Sequence, residues 1–390
     1  MRASYDVVVI GGGIMGLAIA TRLRRLGAGS VALLERRFLG AGESGKSGAI
    51  LRQHYSHAVT IRMARDSLRE FADFERETGH DIGFTRSGML FLVPVGERAG
   101  LEANVRLQQS EGVVTSVLDS TSLRDLVPEA EIEGVVAACE PDAAFVDPIL
   151  TLGAFGAEAT RAGVEIHLGC EVRGLHCTGS RVHGVETNVG PIAAGVVVAA
   201  TGPWSARLLD GIGAAMPLEV VRPQQAFLGP PVASGSQHPI VADLPHEVYY
   251  KPESRWTHVG SISYDQDERV SDPDAYEEGA TVDFLQDARR RVARRFPAYD
   301  QSVIWGGGSG LYTVTPDAHA TIGAIPGWEG FVLVTGFSGH GFKLAPVVGQ
   351  GVAESIVYGA CKAFDIDFFD PARFADSPKI ATAYRFKILG

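Results

Sequence analysis

The chain has 390 residues, of which 45% are apolar and 21% are charged, as is typical of a globular protein with a sizeable core. Domains usually contain about 100–200 residues, so we expect two of them. Asp and Glu (46) outnumber Lys and Arg (35), and the formal net charge of −11 argues against general binding to nucleic acid.

Targeting and redox signals are weak in this sequence. The apolar run from Val7 to Ala20 is broken by glycines, is too short to span a bilayer and is not followed by a cleavage site. We therefore expect no membrane span and a cytoplasmic location. The cysteines are far apart and form no CxxC pair, which predicts a reduced protein without structural zinc. They are Cys139, Cys170, Cys177 and Cys361.

The first elements along the chain predict a β-α-β unit. Tyr5–Ile10 is a β-branched run that is typical of a strand buried on both faces of a parallel sheet. Apolar residues at helical spacing follow over Ile14–Leu26. Val31–Leu34 predicts a second buried strand, which ends at Glu35, and a Gly/Ser-rich loop occupies residues 40–48.

Further βα blocks alternate with strand-rich insertions in the rest of the chain. The predicted helices are Ala58–Glu77, Ile149–Ala162, Thr281–Phe296 and Phe342–Tyr358. The predicted strands are Phe84–Val93, Val164–Leu168, Val182–Val185, Gly195–Ala200, Leu218–Leu228, Val248–Lys251, Thr257–Ser263 and Gly330–Val334. This order predicts an α/β fold (α+β overall), with a Rossmann-like nucleotide-binding domain built from discontinuous segments and a second domain formed by an antiparallel sheet.

The glycine motif GGGIMG follows the first strand and opens the first helix. In this pattern Gly11 allows the tight turn, Gly13 lets the backbone approach a pyrophosphate, and Gly16 lets the helix pack on the strand. The helix N-terminus supplies free N–H groups for the anion. Glu35 is placed to bond a ribose hydroxyl, which disfavours a 2′-phosphate there. The sequence therefore predicts a dinucleotide site, and a plain Gly-rich turn is the alternative.

Two later segments are candidates for contact with the same dinucleotide. Residues 199–204 end a predicted strand, and residues 336–342 open the last helix. An extended FAD needs backbone contacts at its adenosine, pyrophosphate and flavin ends, and a helix N-terminus near the flavin would stabilise negative charge on its reduced form. An NAD-binding protein without FAD stays open at this point.

These segments together resemble the D-amino-acid-oxidase-type flavoprotein superfamily, and most closely its sarcosine oxidase-like branch. The similarity spans nearly the whole chain and rests on GGGIMG with Glu35, SGAILRQHY, VVVAATGPWS, GLYTVTPDAHATIG and GFSGHGFKLAP. It implies FAD-dependent oxidation of the C–N bond of an amino acid or secondary amine, with an N-methyl or cyclic amino acid favoured. The product is an imine that water hydrolyses, and O2 or another acceptor reoxidises the flavin. It also implies an FAD-binding domain (1–83, 148–215 and 325–390) and a substrate-binding sheet domain (84–147 and 216–324).

The resemblance also implies the substrate site. Arg52 and Lys343 match two cations that hold a substrate carboxylate, as charge-assisted hydrogen bonds would do in a desolvated site. Tyr249 and Tyr312 match aromatic residues around the substrate, although they could equally be core residues. His258 matches the position of an oxygen-activating lysine, in an uncertain register.

For the cofactor, the resemblance implies contacts from the glycine motif, the Gly/Ser-rich loop and the last helix. The implied residues are Gly11, Gly13, Ile14, Met15, Gly16, Glu35, Arg36, Ser44, Lys46, Ser47, Gly48, Val172, Thr201, Gly202, Gly310, Gly339, His340, Gly341, Phe342 and Lys343. His340 is interpreted as a packed residue rather than an acid or base. His54 and His57 have no evident third ligand, so no metal is predicted.

This sequence departs from the sarcosine oxidase pattern in two places. Gly310 stands where monomeric sarcosine oxidases carry a cysteine that tethers the flavin, so FAD should be bound non-covalently. His258 replaces the lysine, with Lys251 on the preceding strand, and this leaves the electron acceptor open. Tyr312 replaces an arginine of the glycine oxidase and D-amino-acid oxidase branches, which argues against both.

Two other functions remain open. The chain could be the flavoprotein subunit of a multi-subunit amine dehydrogenase, or a tRNA-modification flavoprotein of the same superfamily, although the net charge disfavours RNA. The expected partner is a small amine or amino acid, with an oligomer or partner subunit possible. The identity of the amine, the electron acceptor and any general base do not follow from the sequence.

Overall fold

The protein structure is a computed structural model that describes residues 2–230, 238–376 and Ile380. Parts of two predicted domain ranges, residues 231–237, 377–379 and 381–390, lie outside the described residues, as does Met1. The described helices are α1 (Ile14–Arg25), α2 (Ala58–Thr78), α3 (Arg98–Ser110), α4 (Ser120–Leu126), α5 (Pro148–Arg161), α6 (Ser205–Asp210), α7 (Val282–Arg295), α8 (Gly341–Tyr358) and α9 (Arg373–Asp376). Short 3-10 helices cover Glu43–Lys46, Val95–Glu97, Gly202–Trp204, Leu244–His246, Pro297–Gln301 and Ile366–Phe369.

The strands are short and belong mainly to two large sheets. In the first half of the chain they are β1 (Ser4–Ile10), β2 (Val31–Glu35), β3 (Ile50–Leu51), β4 (Thr85–Arg86), β5 (Met89–Pro94), β6 (Ser116–Leu118), β7 (Val135–Glu140), β8 (Ala144–Phe145), β9 (Glu165–Leu168), β10 (Val172–Thr178), β11 (Arg181–Thr187) and β12 (Ile192–Ala199). The later ones are β13 (Glu219–Arg222), β14 (Gln224–Leu228), β15 (Ile240–Asp243), β16 (Val248–Pro252), β17 (Thr257–Ser261), β18 (Glu268–Arg269), β19 (Ile304–Ser309), β20 (Tyr312–Val314), β21 (Thr321–Ala324) and β22 (Phe331–Thr335).

The first sheet has a parallel centre that contains the predicted β-α-β unit. Strand β1 pairs in parallel with β2 on one side and with β12 on the other, and β22 continues the parallel pairing beyond β12. The strand order is β10-β11-β12-β1-β2-β9, with β22 beside β12 and β21 beside β22. Strand β1 is buried on both faces from Val7 to Ile10. Val7 and Val9 belong to a cluster with α1 and α8, and Val8 and Ile10 belong to a cluster that includes residues of β11 and α6.

Helices α1 and α8 pack against each other in the core beneath this sheet. A Cβ atom at Gly349 would lie 2.8 Å from the carbonyl carbon of Ala18, so glycine at this position permits the close approach. The packing fixes the N-termini of α1 and α8, the two helix starts that the sequence predicts at the dinucleotide.

The second large sheet has the strand order β19-β14-β17-β16-β15-β5-β7-β6. All its neighbouring strands are antiparallel except β5 and β15, which pair in parallel from Met89 opposite Ile240. The predicted antiparallel sheet therefore contains one parallel pair, because its strands come from two insertions far apart in the chain. Helix α7 covers one face through Ala288 and Val292.

The predicted strand Leu218–Leu228 is wrong in one respect, because the segment forms two strands in different sheets. Strand β13 pairs with β18 and β20, whereas β14 joins the second large sheet. Pro223 lies between the two strands and has no N–H group to continue a ladder. The break at Pro223 thus lets one run of residues serve two sheets.

The mixed α/β fold is confirmed, while the proposed domain division stays a prediction. Strand β21 lies within the range 216–324 predicted for the substrate domain, yet it pairs with β22 in the first sheet. Among the described residues, no helix combines the length and the hydropathy needed to cross a membrane.

Candidate functional site

A cleft of about 380 Å³ opens at the carboxyl ends of β1, β2 and β12. Ligands of open α/β sheets bind at this edge, outside the ends of the strands. The cleft is lined by eight of the residues predicted from the sequence. These are Gly11, Gly13, Glu35, Arg36, Ser44, Val172, Thr201 and Gly202.

The glycine turn at the base of the cleft depends on the absence of side chains. Gly11 has a φ of +109°, and a Cβ atom there would lie 2.4 Å from the Ala200 carbonyl oxygen. A Cβ atom at Gly16 would lie 1.9 Å from the Gly11 carbonyl oxygen. Gly13 caps α1 without a side-chain hydrogen bond, and Ser44 Oγ accepts from the Ile14 N–H at 3.1 Å. The turn therefore brings the backbone of Gly11, Gly12 and Gly13 to the cleft wall without side chains, as the close approach of a diphosphate requires.

Glu35 lies at the end of β2 and connects two turns that border the cleft. Its Oε2 accepts from the Gly12 N–H at 2.8 Å, and its Oε1 accepts from the Arg37 N–H at 2.7 Å. Each carboxylate oxygen has a second lone pair, so a ribose hydroxyl can still donate to it. This arrangement fits the role predicted for Glu35.

At one wall of the cleft, the predicted residue Arg36 contacts two neighbours, Trp204 and Asp274, that the sequence analysis did not connect with it. The Arg36 guanidinium lies 4.1 Å from the centroid of the Trp204 ring and pairs with Asp274 at 2.7 Å. Trp204 Nε1 donates to the same carboxylate at 2.9 Å. Trp204 belongs to a segment that the sequence singles out, but Asp274 comes from a distant insertion and has no local signal.

Glu43 is a second residue that the sequence analysis overlooked. It lines the cleft and accepts hydrogen bonds from Thr313, from the backbone N–H at 2.8 Å and from the hydroxyl at 3.3 Å. Desolvation raises the pKa of Glu43 to about 7, although the two hydrogen bonds from Thr313 oppose the shift. A carboxylate inside a Gly/Ser-rich loop was visible in the sequence, but its burial was not.

A smaller cavity of about 80 Å³ lies between residues 47–52, the start of α8 and the second sheet. The residues predicted to hold the substrate come together there: Arg52, Tyr249, Tyr312 and Lys343. Ser47, Gly48, Gly339 and Phe342, which were predicted to contact the cofactor, also line it. Its remaining wall is apolar and includes Met89 and Ala242 from the second sheet and Ile262, which directly follows β17. Sequence reasoning did not place these three residues.

Arg52 and Lys343 form a buried cationic pair on one wall of this cavity. Their exposed fractions are 6% and 8%, and both cations lie over the Tyr55 ring, at 4.3 Å and 6.0 Å from its centroid. Desolvation holds the pKa of Lys343 well below its usual range, with the Arg52 charge acting in the same direction and Glu140 opposing it. Within the described part of the chain, no carboxylate forms a salt bridge with Lys343. The pair is thus suited to receive an external carboxylate.

The two predicted tyrosines stay protonated over the ordinary pH range. Burial raises the pKa of Tyr249 to about 12 and that of Tyr312 well above its usual value. Neutral phenols at this cavity can position a substrate by hydrogen bonds or ring contacts, but they are not bases at neutral pH.

His258 lines a third cavity, of about 400 Å³, and is absent from the walls of the smaller one. Its ring centroid lies 5.8 Å from that of Tyr249, and Gly48 lies between the two cavities, because a Cβ there would be 3.0 Å from His258 Cε1. Desolvation, reinforced by the Lys251 charge, lowers the pKa of His258 to about 3, so the ring is neutral. Lys46 and Lys251 line the same cavity.

The other predicted residues do not line the cleft or the two cavities: Ile14, Met15, Gly16, Gly310, His340 and Gly341. A Cβ atom at Gly310 would lie 3.4 Å from Lys46 Cβ, and one at Gly341 would lie 3.0 Å from Phe337 Cβ. His340 is buried with its ring centroid 5.6 Å from that of Tyr55, in keeping with a packed residue. Met15 is buried in the first turns of α1. The roles of all these residues stay predictions.

The histidines near Arg52 pack as aromatic residues. His54 stacks on Phe91 with centroids 3.9 Å apart, and His57 contacts His319 edge to face at 5.1 Å. Burial lowers the pKa of His54 to about 3. Over the residues that the structure describes, no group of three His, Cys, Asp or Glu side chains could hold a metal ion.

The chain is similar to known flavoproteins over nearly its full length. Residues 6–355 match the DAO family model, described as FAD dependent oxidoreductase. FAD-dependent oxidoreductase domain-containing protein 1 of Bos taurus is 28% identical over 95% of this chain and 84% of its own length, and peroxisomal sarcosine oxidase of Mus musculus is 27% identical over 96% and 97%. The crystal structure of L-proline dehydrogenase from P. horikoshii superimposes with a TM-score of 0.87 at 29% identity, covering 96% of this chain and 98% of that one.

These matches, together with a glycine turn and cleft that fit a dinucleotide, confirm the predicted superfamily, the Rossmann-like fold and the FAD cofactor. Membership of an FAD-dependent family argues against the alternative of an NAD-binding protein without FAD. The chain belongs to the DAO family of FAD-dependent oxidoreductases.

Proposed function

We propose that this protein oxidises the C–N bond of an amino acid or secondary amine, with an N-methyl or cyclic amino acid as the favoured substrate. The main support is the single cavity of about 80 Å³ that Arg52, Lys343, Tyr249 and Tyr312 line together. The similarity to proteins named sarcosine oxidase and L-proline dehydrogenase supports the same substrate class.

In this proposal the substrate carboxylate binds between Arg52 and Lys343. Both cations are buried, so a hydrogen bond from either to a carboxylate is stronger than it would be in water. The small apolar wall formed by Met89, Ala242 and Ile262 limits the size of the side chain that can enter. Anchoring the acid group therefore orients the α-carbon or N-methyl group for reaction.

The bound FAD would accept a hydride equivalent from the substrate, leaving an imine that water hydrolyses. Tyr249 is protonated, and burial holds the pKa of His340 well below its usual value. Neither residue is therefore a strong base at neutral pH. We propose instead that the two cations favour the neutral form of the substrate amine by lowering its pKa. The amine then reacts without a dedicated protein base.

We further propose that FAD is held without a covalent bond. Gly310 offers no side chain for attachment. Cys170 lines the 380 Å³ cleft, where the adenosine end of FAD is expected. The other cysteines do not line that cleft or the two cavities. Denaturation followed by filtration should release all the flavin from the protein.

Anaerobic mixing with candidate amines tests the proposed function. N-methyl amino acids, proline and pipecolate should bleach the flavin absorbance, and Arg52→Ala or Lys343→Ala should weaken substrate binding by about tenfold to a hundredfold through loss of a charge-assisted bond. Arg86→Ala is a matched control, because that arginine side chain is 58% exposed. Bleaching of both site variants at the parent's rate and substrate concentration would disprove these roles.

A second candidate is a dehydrogenase, alone or as the flavoprotein subunit of a larger complex, rather than an oxidase. The resemblance matches His258 to an oxygen-activating lysine, and the neutral state of this histidine favours a dehydrogenase, as does the similarity to L-proline dehydrogenase. Admission of air after anaerobic bleaching separates the two. An oxidase recovers its absorbance rapidly, whereas a dehydrogenase needs an added acceptor.

A further inference from the structure

Glu140 is a buried carboxylate behind the wall of the cavity that holds Arg52 and Lys343. It ends strand β7 and pairs in the sheet with Met89, which lines that cavity. Its side chain is inaccessible to solvent, with 0% exposure. Nothing in the proposed chemistry uses this carboxylate, so its burial needs another explanation.

The hydrogen bonds of Glu140 do not account for a buried charge. Oε2 accepts one bond from the Gln53 N–H at 3.0 Å, next to Arg52 in the chain. Oε1 has no hydrogen-bond partner in the part of the chain that the structure describes. A buried carboxylate oxygen without a partner destabilises the fold unless nearby positive charge compensates for it.

The compensating charge comes from Arg52 and Lys343. Each of them favours the ionised form of Glu140, and Glu140 in turn opposes the effect of burial on Lys343. We propose that Glu140 is the buried counter-charge of the Arg52–Lys343 pair and positions that pair to receive a carboxylate. This inference rests on the proposed function, because it assigns Glu140 to the same carboxylate site.

The other groups that face Lys343 do not replace Glu140. Arg52 acts against protonation of Lys343, and burial keeps His340 neutral with a pKa well below its usual value. Tyr55 is a buried phenol with a raised pKa. The Asp142 charge raises the pKa of Glu140, but Asp142 is paired with Arg86 at 3.3 Å and its side chain is 38% exposed. Removing the Glu140 charge should therefore make Lys343 lose its proton at lower pH.

Propionate is a suitable probe, because it has a carboxylate but no amine to oxidise. The holoenzyme is titrated with propionate between pH 6 and 9.5, and binding is followed by the change in flavin absorbance. In the parent and in Glu140→Gln the affinities should agree at pH 6, because burial raises the pKa of Glu140 to about 7 and it is protonated there. With rising pH the parent should first lose part of its affinity near pH 7, where Glu140 ionises beside the bound anion. The later loss that follows deprotonation of Lys343 should have its midpoint about one pH unit or more lower in the variant than in the parent.

Two variants serve as controls. Asp142→Asn removes a nearby but exposed carboxylate and should leave the midpoint unchanged. Lys343→Arg keeps its charge at all these pH values, so the loss of affinity caused by deprotonation of Lys343 should disappear, and a smaller loss near pH 7, where Glu140 ionises beside the bound anion, should remain. If the loss of affinity that Lys343→Arg abolishes has the same midpoint in Glu140→Gln and in the parent, the proposed role of Glu140 is wrong. If the parent itself does not bind propionate, the proposed carboxylate site fails instead.

Proton counting tests the same idea without a Glu140 variant. Propionate binding is measured by calorimetry in buffers that differ in ionisation enthalpy. Lys343→Arg should still take up protons near pH 7, because the bound anion raises the pKa of Glu140. Absence of this uptake would overturn the proposal even if Glu140→Gln did not fold.

Discussion

Lys251 donates a hydrogen bond from its ammonium to the Gly48 carbonyl at 2.9 Å, and this bond joins the second sheet to the Gly/Ser-rich loop. The same ammonium pairs with Glu253 at 2.9 Å and lies 4.5 Å from the centroid of the Phe145 ring. The lysine is only 3% exposed. The buried Lys251 therefore holds the loop that separates the 80 Å³ cavity from the 400 Å³ cavity.

We predict that Lys251→Met lowers the free energy of unfolding by about 2 kcal/mol or more. Methionine fills a similar volume but leaves the Gly48 carbonyl and the Glu253 carboxylate without their donor, and such losses cost about 1–3 kcal/mol each. Urea denaturation of the holoprotein measures the change. Lys362→Met, at an exposed lysine, is the control and should change stability by less than about 0.5 kcal/mol. Equal effects of the two variants would contradict the structural role of Lys251.

Gly16→Ala should abolish FAD retention. The added Cβ would lie 1.9 Å from the Gly11 carbonyl oxygen, so α1 would have to move away from the turn that binds the pyrophosphate. The flavin-to-protein absorbance ratio of the purified variant measures the loss.

Gly153→Ala is the matched control for this substitution. Gly153 lies on an exposed face of α5, where no atom comes within 4 Å of an added Cβ. The variant should keep its FAD and gain about 1 kcal/mol of stability, because alanine is a better helix former than glycine. A Gly16→Ala protein that purifies with full flavin content would contradict the close-packing argument.

Much of the cofactor region follows from the sequence because its signals are local. The strand, glycine turn and helix that begin at Tyr5 are contiguous, and each glycine has a steric requirement that sequence spacing reveals. The structure confirms the helices α1 and α8 within one residue of the predicted starts. The family resemblance also leads to Arg52 and Lys343, which meet in one cavity although 291 positions separate them along the chain.

The remaining site residues could not be predicted because they depend on long-range register. Met89 and Ala242 become neighbours in one cavity only because β5 and β15 pair in parallel. Glu140 and Glu43 are single carboxylates without a pattern around them, and their function depends on burial, which composition does not reveal. Pro223, in contrast, was a visible strand breaker, and its effect on Leu218–Leu228 was predictable.

Glu35→Ala should raise the Kd for FAD by about tenfold to a hundredfold. Alanine removes the acceptor of the Gly12 and Arg37 N–H groups, so the two turns beside the cleft lose the group that connects them. Titration of the apoprotein with FAD, followed by quenching of flavin fluorescence, gives the Kd. Glu171→Ala also changes a carboxylate at the cleft, but that side chain is 44% exposed, and we expect a change of less than about threefold. Similar losses in both variants would point to the overall charge of the cleft rather than to Glu35.

Glu43 should make the apoprotein less stable as the pH rises from 5 to 7. Desolvation raises its pKa in the fold to about 7, above the ordinary value of 4.5, so the folded protein binds this proton more tightly than the unfolded chain does. Between these two values the folded state carries more protons, and stability must fall with rising pH. Glu43→Gln removes this contribution, because the amide does not titrate and can still accept from Thr313 through its oxygen.

The difference in Tm between the variant and the parent should therefore grow in favour of the variant from pH 5 to pH 7 and then level off. Glu97→Gln, at an exposed carboxylate, should follow the parent throughout. A difference in Tm between Glu43→Gln and the parent that does not vary with pH would mean that the Glu43 carboxyl is ionised in the fold across this range.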